Sequence, residues 1–375
     1  MKLELTTKQF RRLLDMAYIG NWILNSTRGD DRFKDYDDVE SLLFAKAREE
    51  GMGVLAEDWQ GEVVPSRAFA EGGIHEAIME YENNVFFDIL AEDLARRDFT
   101  VNAMALSLRG ELRDPFDGQR DLAAGVLRCV GEADRRFGED ALRILRGLRF
   151  SAVLGFALGG DTGESIHRNR ALLGEIAVER IQTELWKLLC GRDAAPVLRA
   201  YPDVLGVFWP EVLPMVGFDQ RNHHHCYDVW EHTLHALASS PPEAEVRCAV
   251  LLHDIGKPAC FSVDEAGVGH FYGHGAVSRE LADQMLRRLK CATAFRETVV
   301  RLVDWHDRNI PRTDQSLRRA LRALGEEDLR RLIAVKRADN LGQAPAYWDR
   351  QQELSRAEEI LEEILAADAC FSLRQ

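Results

Sequence analysis

Along most of the chain, apolar residues recur every three or four positions, which is the spacing of an amphipathic helix. Residues 8–24 (KQFRRLLDMAYIGNWIL) follow it, and Thr6 or Thr7 can cap their amino end. Further helices are predicted over residues 39–51 (VESLLFAKAREEG) and 74–97, the latter preceded by a short extended piece, GEVVPSRAF. Strict alternation of apolar and polar residues is scarce here. Residues 1–90 are therefore predicted to be a helical segment without a multi-stranded sheet.

The pattern changes after residue 92. Residues 100–108 (TVNAMALSL) are predicted as a strand, and DPFDG at 114–118 as a turn. Residues 131–156 (GEADRRFGEDALRILRGLRFSAVLGF) are predicted as one helix. In that helix Arg136, Asp140 and Arg143 fall at i, i+4 and i+7 and so share one face.

A third feature is an apolar helical run, EVRCAVLL at 245–252, that ends in the adjacent pair His253 and Asp254. Neighbours on a helix point about 100° apart, so at the last turn an imidazole and a carboxylate can approach one ion from two sides. Gly256 is expected to stop the helix, and Lys257 supplies a point charge suited to phosphate.

Other histidines and aspartates accompany this pair. Most of the 11 histidines lie between residues 222 and 307. A lone His-Asp pair is usually structural, but the repeated appearance of such residues on predicted helices favours a metal site. A mixture of imidazole and carboxylate ligands suits a borderline transition metal. The candidate positions are His232, His274, His306, Asp307 and Asp339.

Composition narrows the possibilities. The 375 residues suffice for two or three domains, and 46% hydrophobic residues can fill their cores. A net charge of −14 argues against general coating of nucleic acid, so any such site must be a local basic patch. The seven cysteines form no CxxC pair, which indicates reduced thiols. The absence of a signal peptide or a long apolar run predicts a cytoplasmic protein.

The His253-Asp254 segment and its companions resemble the HD phosphohydrolase superfamily. The resemblance implies a helical bundle in which His232, His253, Asp254 and Asp339 hold a divalent ion, either a transition metal or Mg²⁺. It also implies that His274 and His306 are ligands of a second ion or acid–base groups. The catalytic set expected on this basis is His253, Asp254, Lys257, His274 and His306.

A second resemblance rests on residues 93–122, on EDALR at 139–143 and on VERIQTELWKLL at 178–189. These segments resemble the bacterial tRNA nucleotidyltransferase (CCA-adding) and poly(A) polymerase family. The resemblance implies that the RRDFTVNA segment contacts the sugar and phosphates of the incoming nucleotide. It also implies that the EDxxR motif acts as a protein template, in which a carboxylate accepts from the exocyclic amine of a base while Arg donates to ring acceptors. The implied nucleotide-binding residues are Arg96, Arg97, Asp98, Asn102, Glu139, Asp140 and Arg143.

The same family uses two Mg²⁺ ions, with CTP or ATP as substrate, held by carboxylates of a DxD on a strand. The only upstream DxD of interest here is Asp35-Tyr36-Asp37, which precedes a helical pattern. Hydrolysis at the HD site is therefore expected to be the retained activity, with RNA ends or small phosphoesters as substrates. Two alternatives stay open: CCA or A addition to tRNA, and a non-catalytic RNA-binding remnant whose arginines grip phosphates.

Together these features predict a mainly α protein with five parts. Residues 1–90 form a helical segment of unknown role, and 91–132 a remnant of the nucleotidyltransferase head. Residues 133–215 form a helical neck and body with the RNA- and nucleotide-binding motif. Residues 216–345 form the HD domain, and 346–375 a truncated carboxyl-terminal helix. The expected partners are tRNA or other RNA 3′ ends, nucleotides and small phosphoesters.

Overall fold

The fold is mainly α-helical, as the apolar spacing predicts. A computed structural model describes residues 2–26, 28–29, 31–107, 110–221, 226–309, 313–348 and 350–372, without the side chains of 83, 84 and 368–372. The chain divides into two units, residues 1–93 and 94–375. Among the described residues, each sheet has two strands. Within the same residues, no helix has the length and apolar character needed to cross a membrane.

The first unit packs helices around a small apolar core. Thr6 caps the first helix, since its hydroxyl oxygen accepts from the Gln9 amide and the Gln9 side chain accepts from the Thr6 amide. The core consists of Leu14, Phe44, Ala47 and Phe69. The elements are α1 (Thr7–Asn25), α2 (Lys34–Glu49), the antiparallel hairpin β1 (Ala56–Trp59) and β2 (Glu62–Pro65), α3 (Arg67–Ala70) and α4 (Gly73–Ala95), whose last two residues belong to the second unit.

The amino-terminal part of the second unit carries the family-like motifs on short elements. The antiparallel pair is β3 (Ala105–Leu106) with β4 (Leu112–Arg113), and the parallel pair is β5 (Val126–Leu127) with β6 (Ala157–Leu158). The helices are α5 (Gly118–Ala124), α6 (Ala133–Glu139), α7 (Leu142–Leu154), α8 (Gly160–Asn169), α9 (Val178–Leu189), α10 (Ala194–Ala200) and α11 (Pro202–Leu205).

Two predictions fail in this region. Residues 100–102 form a 3₁₀ helix and only Ala105–Leu106 is a strand, while Leu108 lies outside the described residues. The Asn102 side chain accepts from the Phe99 amide and donates to Asp98, which tightens the chain into a turn. The predicted helix over 131–156 is broken at Asp140, whose backbone is extended at φ −153°. Its Oδ1 accepts from the amide of Leu142, the first residue of the next helix.

The carboxyl-terminal part is a helical bundle. Its helices are α12 (Val229–Ser239), α13 (Ala244–Leu252), α14 (His274–Arg288), α15 (Thr293–Trp305), α16 (Asp314–Leu324), α17 (Glu326–Gly342) and α18 (Arg350–Ser372). An antiparallel hairpin, β7 (Ser262–Val263) with β8 (Gly269–His270), precedes α14.

Two glycines allow close approach inside this bundle. A Cβ on Gly342 would lie 2.8 Å from the His232 carbonyl oxygen and 3.0 Å from its ring, so α17 can pass α12 only with glycine there. A Cβ on Gly256 would lie 2.7 Å from the His274 carbonyl oxygen. Gly256 was expected to stop α13, but that helix ends at Leu252. The φ of Gly256 is −82°, so this residue makes no left-handed turn. Glycine is needed there because a side chain would clash with the His274 carbonyl oxygen.

Candidate metal centre and motif cluster

Three histidines of the bundle are oriented by backbone carbonyls. His253 and His306 each follow the last residue of a helix, and in each ring Nδ1 lies 2.6 Å from the carbonyl oxygen three residues earlier. The Nδ1 of His274 lies 2.9 Å from the Phe271 carbonyl oxygen. A carbonyl can only accept, so Nδ1 carries the proton and Nε2 is left as the metal-binding atom.

The first cluster joins His232, His253 and Asp339. The Nε2 atoms of the two histidines are 3.3 Å apart. Asp339 Oδ1 lies 3.1 Å from the Nε2 of His232 and 3.6 Å from that of His253. All three residues were predicted as ligands from helices far apart in sequence, and the structure brings them to one point.

The second cluster joins Asp254, His274 and His306. The Nε2 atoms of the two histidines are 3.2 Å apart, and Asp254 Oδ1 lies 3.4 Å from that of His274 and 3.9 Å from that of His306. The other oxygen of Asp254, Oδ2, lies 3.1 Å from His253 Nε2 and 3.3 Å from His232 Nε2. The Asp254 carboxylate therefore lies between the two clusters and contributes one oxygen to each.

The donor set fits divalent ions. An ion bound at about 2.1 Å to two ligands holds them about 3.0–3.4 Å apart in octahedral or tetrahedral geometry. Within each cluster the donor atoms lie within 4.8 Å of one another, and most of the pairs fall near this range. Imidazole with carboxylate suits a transition metal, and a shared carboxylate suits two adjacent ions.

The electrostatics of the site are dominated by two carboxylates, of which Asp254 is buried and Asp339 half-buried. Burial alone would raise the pKa of Asp254, but His253 and Lys257 hold that pKa well below the usual value. Burial likewise opposes ionisation of Asp339, yet hydrogen bonds from His232 and His253 keep its pKa well below the usual value. Although burial lowers the pKa of His253, the adjacent carboxylates raise it to about 10. The clusters thus favour positive charge, which a metal ion would supply.

The remaining histidines of the site differ from each other. Burial and the nearby His253 lower the pKa of His306 to about 4, so its ring is neutral and suited to bind a metal. Burial would lower the pKa of His274, but the hydrogen bond to Asp254 raises it. The fifth predicted catalytic residue, Lys257, is buried, with Nζ 2.7 Å from Asp254 Oδ2 and 2.9 Å from Gln220 Oε1. Its ammonium group thus lies between Asp254 and Gln220, and its catalytic role stays a prediction.

A cavity of about 490 Å³ opens onto the clusters. Beside Asp254, His274, His306 and Asp339, its lining includes cationic and aromatic groups that sequence reasoning missed: Tyr272, Arg308, Lys336 and Arg350. Lys336 could have been found from the sequence, because it lies three residues before Asp339 on α17 and residues three apart on a helix are neighbours. The others come from loops and helix ends and leave no periodic pattern.

The predicted nucleotide-binding residues also meet at one place. Arg143 donates to the Arg96 carbonyl oxygen at 2.9 Å, and Arg146 donates to Asp98 Oδ2 at 2.6 Å. Asn102 donates to the other oxygen of Asp98 at 2.6 Å. Arg96 and Arg97 are exposed next to this network. The RRDFTVNA and EDALR segments, some 40 residues apart, are therefore joined directly.

The template motif has its own ion pairs. The Glu139 carboxylate accepts from Arg136 at 2.7 Å and from Arg143 at 2.9 Å, and the hydrogen bond from Arg143 lowers its pKa. Asp140 Oδ2 lies 2.8 Å from a guanidinium nitrogen of Arg180 on α9. The expected common helical face of Arg136, Asp140 and Arg143 does not exist, because the chain turns at Asp140. A third motif, VERIQTEL, instead reaches the cluster through Arg180.

The DxD of the first unit lies in a helix. Asp35 and Asp37 are in the first turn of α2, and residues two apart on a helix point about 160° away from each other. Asp37 accepts two hydrogen bonds from Arg32 and one from Asn21 at 3.0 Å. The hydrogen bond from Arg32 is the main cause of its lowered pKa. In this arrangement the two carboxylates cannot bind one pair of ions.

Three family profiles match the chain. The HD domain profile matches residues 223–343, and the poly(A) polymerase head domain profile matches residues 32–128. The profile for the probable RNA and SrmB-binding site of polymerase A matches residues 155–201. The head match thus begins three residues before Asp35, within residues 1–90, which were predicted to be a helical segment of unknown role.

Curated relatives agree with these profiles. The A-adding tRNA nucleotidyltransferase of Deinococcus radiodurans is 38% identical over 287 residues, which is 72% of this chain and 65% of that enzyme. The CCA-adding enzyme of Geobacillus stearothermophilus is 44% identical over 139 residues, 37% of this chain and 34% of that enzyme. The crystal structure of Bacillus stearothermophilus CCA-adding enzyme in complex with CTP has 32% identity and a TM-score of 0.49, covering 72% of this chain and 59% of that one.

The chain therefore spans less than two thirds of the length of these relatives. The profiles, the identity to the Deinococcus enzyme and the HD match nevertheless point to one family. The chain belongs to the bacterial tRNA nucleotidyltransferase (CCA-adding) and poly(A) polymerase family, with an HD domain in its carboxyl-terminal part.

Proposed function

We propose that this protein is a tRNA nucleotidyltransferase that adds A or CCA to RNA 3′ ends. The observation that carries the proposal is the 38% identity over 287 residues to a relative named as an A-adding tRNA nucleotidyltransferase. The meeting of the RRDFTVNA, EDALR and VERIQTEL segments at one cluster supports it. The comparisons thus favour nucleotide addition over the sequence-based expectation that the HD site is the main activity.

Asp140 and Arg143 would select the nucleotide. The Asp140 carboxylate can accept from the exocyclic amine of cytosine or adenine, and Arg143 can donate to the ring acceptors. Asp140 is paired with Arg180, and Arg143 with Glu139 and the Arg96 carbonyl. A bound base would share the Asp140 carboxylate with Arg180, while Glu139 keeps Arg143 in place.

Transfer also needs two carboxylates around Mg²⁺, and Asp35 with Asp37 are the candidates within the head match. Because these side chains diverge on α2, the proposal requires residues 32–38 to adopt another arrangement when substrates bind. Release of Asp37 from Arg32 would be the first step of that change.

Incubation of the full chain with Mg²⁺, labelled ATP or CTP and tRNA lacking its terminal nucleotides tests the proposal. Extension of the tRNA is expected, with loss on Asp37→Asn. Extension that survives both Asp35→Ala and Asp37→Ala would assign the metal carboxylates elsewhere. If tRNA binds in a salt-dependent manner without extension, the protein is an RNA-binding remnant and the proposal is wrong.

A second function is favoured by the two clusters that share Asp254: metal-dependent hydrolysis of phosphoesters at the HD site. A divalent ion there would polarise a phosphoryl oxygen and lower the pKa of water. Asp254 and Asp339 provide the negative charge that holds such ions, and Lys257 orients Asp254. Arg308 and Arg350 line the same cavity and can bind the phosphate of the substrate.

This hydrolysis is tested on the purified full chain with Mn²⁺, Ni²⁺ or Mg²⁺ and a phosphoester panel that includes 2′,3′-cyclic nucleotides. Turnover is expected to be abolished by His253→Ala and by Asp254→Ala. Arg199→Ala, which removes an exposed guanidinium paired with Glu231 outside the cavity lining, serves as the control and should leave turnover unchanged. Hydrolysis retained after both ligand substitutions would remove the HD site as its source.

A further inference from the structure

A hairpin at the edge of the HD cavity carries a stack of two aromatic rings. The turn of the β7–β8 hairpin is fixed by Asp264, whose Oδ1 accepts from the Ala266 and Val268 amides at 3.0 and 2.9 Å. Asp264 Oδ2 lies 2.8 Å from His270 Nε2, so the same carboxylate also fixes the imidazole of β8. The orientation of the His270 ring is therefore set by the hairpin itself.

Tyr272 lies flat on that imidazole. The two rings are 5.2 Å apart between centroids and inclined by only 10°. Tyr272 is nevertheless 78% exposed, although it lines the cavity that contains Asp254 and His306. Its neighbour Phe271 packs in tilted contacts against the half-buried rings of Phe218 and Phe261. One face of the Tyr272 ring is thus supported by His270, and most of the side chain is in contact with solvent.

The hairpin is anchored where it meets the rest of the bundle. The Gly269 amide donates to the Arg221 carbonyl oxygen at 2.9 Å. A Cβ at Gly269 would lie 2.2 Å from the Gln220 carbonyl oxygen, so the strand and this segment are in close contact. Gln220 also accepts from Lys257, which holds Asp254. The aromatic stack is therefore connected to the two clusters through a continuous series of contacts.

The cavity consequently offers two kinds of contact. The metal clusters, Arg308 and Arg350 suit a phosphate group, and the supported Tyr272 ring suits a planar, uncharged ring. A volume of about 490 Å³ lies in the range of sites for compact organic ligands. We propose that Tyr272 is a specificity-determining residue of the HD site, on which the base of a nucleoside phosphoester stacks. This proposal rests on hydrolysis at the HD site.

The proposal is tested on the full chain after treatment with a chelator. The affinities for AMP and for ribose 5-phosphate, which lacks the base, are measured. Calorimetric titrations would compare wild type, Tyr272→Ala, Tyr272→Phe and the control Val263→Ala, which changes an exposed residue of the same hairpin outside the cavity lining. Tyr272→Ala is expected to weaken AMP binding by about 5- to 150-fold, the range for loss of one base-stacking contact. Ribose 5-phosphate affinity should not change, and Tyr272→Phe and Val263→Ala should retain wild-type affinities. Any AMP bound at the motif cluster is common to all four proteins.

The outcomes separate this proposal from the hydrolysis on which it rests. The stacking role would be overturned if Tyr272→Ala weakened the binding of AMP and of ribose 5-phosphate equally, or if it left AMP binding unchanged. This holds even if His253→Ala abolishes hydrolysis. With the metal restored, KM for the adenosine substrate should rise in Tyr272→Ala while kcat is maintained. If wild-type protein hydrolyses none of the phosphoesters, the proposed HD function fails, whereas the AMP titrations still decide whether Tyr272 binds a base.

Discussion

Replacement of Asp254 with asparagine would remove the charge that the two ligand clusters share while keeping the size of the side chain. Each oxygen of this carboxylate belongs to a different cluster, at 3.1 Å from His253 Nε2 and 3.4 Å from His274 Nε2. An amide offers one oxygen and a nitrogen that cannot bind a metal. One cluster loses a ligand completely, and the other keeps a weaker one.

Two magnitudes follow for Asp254→Asn. Loss of a group that only orients a ligand costs about 10- to 100-fold in metal affinity, so loss of this shared ligand should cost at least about 100-fold. Lys257 is left buried without the charge of Asp254, while its hydrogen bond to Gln220 remains. Breaking a buried ion pair costs about 3–5 kcal/mol, and the Gln220 contact favours the lower end, about 3 kcal/mol of unfolding free energy.

Metal affinity would be measured by calorimetric titration, bound metal by elemental analysis, and stability by chemical unfolding of the chelator-treated protein. Asp254→Asn/Lys257→Met is the matched control because it removes the unpaired ammonium group as well. The double variant should regain most of the lost stability but none of the metal affinity.

The reasoning would be refuted if Asp254→Asn bound metal with wild-type affinity and stoichiometry. It would equally be refuted if the double variant recovered metal binding together with stability, because Asp254 would then act only through the fold.

Further predictions concern other parts of the molecule. Arg143→Ala and Asp140→Ala should each reduce discrimination between CTP and ATP in the tRNA extension assay, because each removes one side of the proposed template. Unchanged discrimination would contradict the template role. Gly118→Ala should destabilise the protein by about 2 kcal/mol or more in thermal unfolding, since its Cβ would lie 2.2 Å from the Thr100 carbonyl oxygen. Burial raises the pKa of Glu40 to about 7, so this group stabilises the fold fully below its unfolded pKa and the contribution is lost as pH rises through 7. Glu40→Gln should therefore be more stable than wild type by about 1–2 kcal/mol at pH 8 and no more stable at pH 4, as measured by urea unfolding.

The residues that meet at the two clusters could be predicted because their chemistry is visible in the sequence. His253 and Asp254 follow an apolar helical run, and His232 and Asp339 lie on helices of clear periodicity. The structure brings all four together. The sharing of Asp254 between two clusters could not be predicted, since it depends on the distance between α13 and α14. That distance is set by backbone contacts at Gly256.

The motif cluster was predicted in part. Its residues were identified by resemblance, but the helix expected across Asp140 is broken because the aspartate side chain competes for a backbone amide. The pairing of Asp140 with Arg180 joins residues 40 apart and leaves no local pattern. Tyr272 was missed for a similar reason, because its stacking on His270 depends on the hairpin and not on periodicity.

The close passage of α17 over α12 at Gly342 has a consequence for redesign of the HD site. The gap between His232 and Asp339 is governed by a residue that carries no donor atom, and this gap would set the ionic radius of a metal bound at the first cluster. A methyl group at 342 would wedge the two helices apart. Preference among metals could therefore be shifted by packing alone, with every coordinating side chain left as it is.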